Sequence, residues 1–278
     1  MQGKLYLCAT PIGNLEDITF RVLETLKSVD LIAAEDTRHS IKLLNHFSIK
    51  TPMTSYHEYN KVEKARALVE RMREGVNVAL ITDAGTPGIS DPGEELVRQC
   101  YEAGLEVTSL PGPAACITAL TMSGLSTRRF CFEAFLPADK KEKEWILKEL
   151  QTETRTIVLY EAPHHLVRTL EELCAALGDR RASICRELTK KYETVFQTTL
   201  AEAVAYYREH EPRGECVIVI EGRAISEIKK EGRKTWQSMS VEEHMEYYIS
   251  QGYEKKAAMK QVAEDRGISR RDVYQALL

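Results

Sequence analysis

Residues 77–110 read NVALITDAGTPGISDPGEELVRQCYEAGLEVTSL, and their reading decides the fold. Asn77–Ile81 is a short aliphatic run of strand length. Glu94–Ala103 reads as a helix and Glu106–Leu110 as the next strand. Strand, helix and strand in that order make a βαβ unit and imply a mostly parallel sheet. Between the first strand and the helix lies Thr82–Gly93, with three Gly, two Pro and two Asp in 12 residues. Such connections usually take about 2–6 residues. Glycine lets backbone approach a ligand closely, and proline stiffens that backbone. In open parallel sheets ligands bind beyond the carboxyl ends of the strands, so this loop is placed to cradle a small molecule. A plain connection built of tight turns would use the same residue types.

The alternation extends outward on both sides. Strands are expected at Lys4–Ala9 and Leu31–Ala34, and helices at Thr19–Ser28, Ser40–Phe47 (with Ser40 as its N-cap) and Lys61–Glu74, closed by Gly75. After a helix at Ala114–Ser123 the pattern restarts. Strands at Phe130–Phe135, Thr156–Tyr160, Ala182–Cys185, Glu193–Thr198 and Cys216–Glu221 accompany helices at Lys141–Leu150, Leu166–Leu177 and Leu200–Glu209. The expected fold class is α/β, as two consecutive α/β domains over residues 1–120 and 121–222. Residues 223–278 then form a polar linker (223–235) and a small C-terminal helical module. Its helices are expected from Ser240 to Ser250, Glu254 to Arg266 and Ser269 to Leu278, and two helices joined by a Gly turn resemble a helix-turn-helix.

The chain has 278 residues, 43% hydrophobic and 29% charged, which are ordinary values for a globular protein. No apolar run approaches the roughly 18 residues of a membrane span, and Met1–Lys4 has no signal-peptide layout, so a cytoplasmic protein is expected. Seven cysteines, none spaced as CxxC, read as reduced thiols. The net charge of −4 argues against a bulk polyanion binder. Residues 223–278 stand at +2 and residues 1–222 at −6, so only the tail leans basic. There Lys255, Lys256, Lys260, Arg270 and Arg271 could face a phosphate backbone; a solvated or docking bundle is the alternative.

Other loops after strands carry polar clusters: Glu35–His39, Ser55–Asn60, Tyr160–His165 and Arg186–Glu193. Pro111–Ala115 gives a rigid entry to a small-residue helix start. The first loop, Thr10–Leu15, is not GxGxxG, and no GxxxxGK[ST] occurs, which speaks against a Rossmann dinucleotide site or a P-loop. Histidines lack HxxxH and HExxH spacing, so no metal is expected; no GxSxG marks a serine hydrolase.

Six segments together carry a signature: ATPIGNLEDIT (9–19), AEDTRHSIKLL (34–44), TDAGTPGISDPG (82–93), LPGPAACITAL (110–120), LYEAPHHL (159–166) and RELTKKYE (186–193). The chain resembles the tetrapyrrole-methylase superfamily of S-adenosylmethionine (SAM)-dependent methyltransferases, and within it the ribosomal RNA branch. Enzymes acting on tetrapyrroles usually carry GxGPGD and GDP in the first two loops; TPIGN and AGTPGIS stand here. The resemblance implies SAM in a cleft between the two α/β domains, a homodimer, and 2′-O-methylation of a cytidine ribose in 16S ribosomal RNA of the 30S subunit. It also implies cofactor contacts from Pro11, Ala84, Gly85, Thr86, Ile89, Ala114, Ala115, Glu161 and Leu188. Gly13 and Ser90, in the same loops, join that set, and the carboxylates of Asp83 and Asp91 could meet the methionine ammonium or the sulfonium.

A ribose hydroxyl needs a general base within hydrogen-bond reach. Asp36, His57, Glu187 and Lys190 are the candidates, the last only with a depressed pKa. Arg38, Arg186 and Lys190 could pair with RNA phosphates. Two other readings stay open: a methyltransferase acting on a tetrapyrrole or other small molecule, and a non-catalytic RNA-binding factor on a SAM fold.

Overall fold

The computed structural model describes residues 2–228, 230, 236 and 238–278. Part of the expected linker 223–235 lies outside them. The first sheet contains β1 (Lys4–Cys8), β2 (Leu31–Ala34), β3 (Met53–Ser55), β4 (Val78–Ile81) and β5 (Glu106–Leu110), ordered β3-β2-β4-β1-β5 and parallel throughout. Its helices are α1 (Phe20–Ser28), α2 (Thr37–His46), α3 (Lys61–Arg73), α4 (Gly93–Glu102) and α5 (Ala115–Met122). Strand β4 is wholly aliphatic because it is buried on both faces. Val78 and Leu80 pack with Leu68, Met72 and Leu96 of α3 and α4, while Ala79 and Ile81 pack with Val22, Leu26 and Leu44 of α1 and α2.

The second sheet contains β6 (Phe130–Ala134), β7 (Thr156–Glu161), β8 (Arg181–Arg186), β9 (Thr194–Thr199) and β10 (Cys216–Ile220), ordered β6-β7-β10-β8-β9. It is not a repeat of the first. Only β6 and β7 are parallel; the other three pairings are antiparallel. One face carries α6 (Lys140–Leu150), α7 (Leu166–Leu177) and α8 (Leu200–Glu209), with Leu150, Leu170 and Ala203 against Ile157, Leu159 and Ile218. The other face presents Val158, Cys185, Val217 and Val219 to Ile12 and to Cys116, Ala119 and Leu120 of α5. The two domains therefore share one apolar cluster, and α5 sits against β7 and β10.

Two details differ from the sequence reading. Ser40 does not cap its helix. Asp36 does, accepting the Arg38 amide at 2.8 Å, because a carboxylate three residues before His39 starts the helix a turn earlier; the Ser40 amide already bonds the Asp36 carbonyl at 2.9 Å. Strand β3 is only three residues of partly buried MTS, too short to read by alternation.

The tail folds as expected into α9 (Val241–Ser250), α10 (Lys255–Arg266) and α11 (Arg270–Ala276). Ser240 with Glu243, and Ser269 with Asp272, form capping boxes, and Gly267 closes α10 in the left-handed region at φ 66°. Met245, Ala258, Val262, Ala263 and Val273 make a core of their own. His244 is fully buried, stacked on Trp236 at 3.9 Å between ring centres.

Candidate functional site

Strands β4, β1 and β5 are neighbours, so their three following loops meet at one sheet edge. Backbone hydrogen bonds join them. The Thr10 amide donates to the Gly85 carbonyl at 2.9 Å, and the Gly85 amide returns to the Thr10 carbonyl at 3.0 Å. Gly85 stands at φ 86°, where a side chain is strained. The Thr86 hydroxyl donates to the Pro113 carbonyl at 2.9 Å, tying the second loop to the third. Asp91 lines the cleft that these loops border and also braces its own loop. Its carboxylate accepts the amides of Gly88 (2.8 Å), Gly93 (2.7 Å) and Ile89 (3.3 Å), all in its own loop. Burial raises its pKa although these amides pull the other way. Asp83 accepts the Asp36 amide at 3.1 Å and is likewise raised, chiefly by burial.

The second domain closes the opposite wall. Glu161, at the end of β7, accepts its neighbour Ala162's amide at 2.7 Å and the Thr169 hydroxyl at 2.6 Å. The Tyr160 hydroxyl accepts the Cys116 amide at the start of α5, at 3.1 Å. The turn carrying Leu188 and Lys190 comes so close to the first loop that a Cβ on Gly13 would lie 2.4 Å from Lys190 Cγ. Strand β10 runs against β7 and β8, with Cys216 opposite both Glu161 and Arg186. Glu215, Cys216 and Val217, at its beginning, therefore join the wall.

These walls enclose a cleft of about 430 Å³, a size suited to a cofactor-scale ligand. It brings together Asp83, Ala84, Gly85, Thr86, Ile89, Ser90, Asp91, Ala114, Ala115, Glu161 and Leu188. Pro11 and Gly13 line instead an adjoining cavity of about 570 Å³, with His39, Ser40, Lys42, His46 and Lys190. Ile12, Thr82, Asp83, Ala84 and Glu215 belong to both. Glu35, which accepts the Thr82 hydroxyl at 2.6 Å, and Tyr160 come from polar clusters marked in the sequence, whereas Phe135, Glu215, Cys216 and Val217 were missed.

The candidate bases scatter. Asp36 caps α2 and is held by Arg38, which brings its pKa down to about 2 and makes it a poor proton acceptor. His57 bonds Asn60 and lines neither cavity; nor does Glu187. Lys190 lines the second cavity, and burial favours its neutral form. Glu187 at 3.0 Å and Glu215 at 3.4 Å outweigh burial and raise its pKa, so it is a fixed cation and not a base. Arg38 pairs with Asp36 at 2.8 Å. Arg186 is engaged within its own domain by Thr194 at 3.3 Å, the Arg213 carbonyl at 3.2 Å and the Tyr207 ring. Lys255, Lys256, Lys260, Arg270 and Arg271 are all exposed on the tail. All seven cysteines are free, and no helix of the described residues is long and apolar enough to cross a membrane.

Unlike sheets clasping a cleft walled by small-residue loops define a class, the two-domain SAM-dependent methyltransferases. A family model described as Tetrapyrrole (Corrin/Porphyrin) Methylases matches residues 4–204. The chain belongs to that family and, within it, to the branch of the ribosomal RNA small subunit methyltransferases I. It is similar to the Ribosomal RNA small subunit methyltransferase I of Halalkalibacterium halodurans, 48% identical over 98% of this chain and 94% of that protein. The protein of that name from Bacillus subtilis is 46% identical over 99% and 94%. The one from Thermotoga maritima is 43% identical over 80% of this chain but 99% of its own length. Among solved structures, uroporphyrin-III-C-methyltransferase from Thermus thermophilus shares the fold, with TM-score 0.57 at 20% identity over 79% of this chain and 94% of that one. Diphthine synthase does so with TM-score 0.64 at 15% identity over 80% and 91%.

Proposed function

We propose that this chain methylates the 2′-hydroxyl of one cytidine ribose in 16S ribosomal RNA of the small subunit, in the cytoplasm and as a homodimer. The observation that carries the reading is its 48% identity, over both cleft-forming domains, to a protein named for methylating small-subunit ribosomal RNA.

The cleft fits the cofactor the family uses. Its walls are backbone and small side chains at Ala84–Thr86 and Ala114–Ala115, with apolar flanks at Ile89 and Leu188. Bound there, SAM supplies an activated methyl group. Ala84, Gly85, Thr86, Ala114 and Ala115 leave room for it, Asp83 and Glu161 offer acceptors to its polar ends, and the rigid loops fix its orientation. The second cavity receives the acceptor nucleotide. Lys42 and Lys190 meet its phosphates there, and Lys190 is held protonated by Glu187 and Glu215. Tail residues Lys255, Lys256, Lys260, Arg270 and Arg271 add contacts to RNA outside the cavity. The tail is auxiliary in this reading, because the Thermotoga maritima relative is spanned almost whole by four-fifths of this chain.

The test offers methyl-tritiated SAM with 30S subunits, naked 16S RNA and a tetrapyrrole in parallel. Alkali-resistant label at one ribose is expected. Label in the tetrapyrrole alone overturns the reading.

A further inference from the structure

None of the four bases expected from sequence is free and facing the cavities, which leaves the hydroxyl proton without a destination. His39 stands in the wall of the second cavity, in the first turn of α2, with its side chain exposed. The start of α2 is fastened to the cradle loop. The Asp36 amide donates to Asp83 Oδ1 at 3.1 Å, and the His39 amide to the Asp36 carbonyl at 3.1 Å. Asp83 belongs to both cavities, so the turn that carries His39 in the second cavity's wall is fastened to a residue they share. His46, at the far end of α2, lines only the second cavity and packs edge-on against Phe47.

We propose that His39, in the wall of the second cavity, is the catalytic base that takes the proton of the acceptor ribose 2′-hydroxyl. The proposal rests on the RNA reading above. As the hydroxyl oxygen bonds to the methyl carbon, the carbon–sulfur bond breaks and its electron pair stays on sulfur. The hydroxyl proton passes to a ring nitrogen of His39, and from there to water. A histidine suits this step because it accepts a proton near neutral pH and releases it again. The charged groups of its own turn are Glu35 and the paired Asp36 and Arg38, and those sharing the cavity wall with it are Lys42, His46, Asp83, Lys190 and Glu215.

The experiment uses the full chain with His39→Gln and His39→Ala. It measures SAM binding by calorimetry and single-turnover methyl transfer to 30S subunits across pH. Because His39 is exposed, both variants are expected to fold and to bind SAM within about twofold of the unaltered chain. Transfer is expected to fall by about 100-fold, the scale of a lost general base. The acidic limb of the pH–rate profile should vanish, and added imidazole should partly restore the Ala variant. Wild-type transfer with an unchanged pH profile in His39→Gln overturns the proposal, as does a loss of transfer explained wholly by lost SAM affinity. Failure of the unaltered chain to label 30S subunits or 16S RNA overturns the RNA reading itself, and this proposal with it.

Discussion

In the first sheet all five strands run one way, so β1, β4 and β5 deliver three consecutive loops to one edge; in the second, β10 runs against β7 and β8, so its beginning lies beside their ends. The two halves of the cleft are consequently made of different material. The first domain contributes backbone, braced by the Thr10–Gly85 pair, the Thr86 hydroxyl and the amides gathered by Asp91. The second contributes side chains: Tyr160, Glu161, Leu188 and Glu215. A rigid backbone frame suits a ligand common to a whole family, and a wall of side chains is the easier half to vary.

That contrast can be broken experimentally. Asp91→Ala strips the acceptor from three loop amides, and charge-assisted bonds of this kind are worth about 1.5–3 kcal/mol each before relaxation. SAM affinity is expected to fall about 100-fold, near 3 kcal/mol, while the thermal transition stays cooperative. Unchanged calorimetric affinity would show that the loop does not depend on its own carboxylate. Removing residues 236–278, the tail with its separate core, should raise the KM for 30S subunits roughly tenfold, as expected for lost phosphate contacts, and leave SAM affinity unchanged. Equal losses of both would tie the tail to the cleft. Thr169→Val takes one hydrogen bond from the Glu161 carboxylate. It should weaken SAM binding by about 1.4 kcal/mol, or tenfold, as befits one side-chain contact in the second wall. A loss larger than that of Asp91→Ala would invert the comparison.

The smallest effect concerns stability. Arg155 hydrogen-bonds Glu153 and brings its pKa down to about 2. A carboxylate depressed on folding stabilises the protein above its unfolded pKa, about 4.3, and that contribution fades as pH falls toward the folded value. Glu153→Gln should therefore cost about 1 kcal/mol at pH 7, with the partly exposed arginine limiting the gain. In urea melts the gap should narrow at pH 3.5; a constant gap would mean that the pair acts by packing and not by charge.

The sequence was most legible where one periodicity rules. Strand β4 and helix α7 were found within a residue of their ends, and the tail helices began at their Ser240 and Ser269 caps. The loops after β4, β5 and β7 were legible as ligand walls because parallel strands place their carboxyl ends together. The same rule hid Glu215, Cys216 and Val217, which stand at the beginning of a strand. Only the antiparallel pairing of β10 brings a strand's beginning to this edge, and pairing direction is set by tertiary contacts that a run such as CVIVI does not encode. The engagement of the candidate bases was hidden for another reason. Asp36, Glu187 and Lys190 are chemically suitable, and whether such a group is free depends on neighbours such as Arg38 and Glu215, the latter distant in sequence.

Cys216 puts a sulfur nucleophile in the wall of the cleft proposed for an alkylating cofactor. Thiolates, not thiols, attack electrophilic carbon. Burial pushes the Cys216 thiol up to about 12, aided by the carboxylates of Glu161, Glu187 and Glu215. Burial first, and the neighbouring carboxylates after it, favour the unreactive thiol at this position.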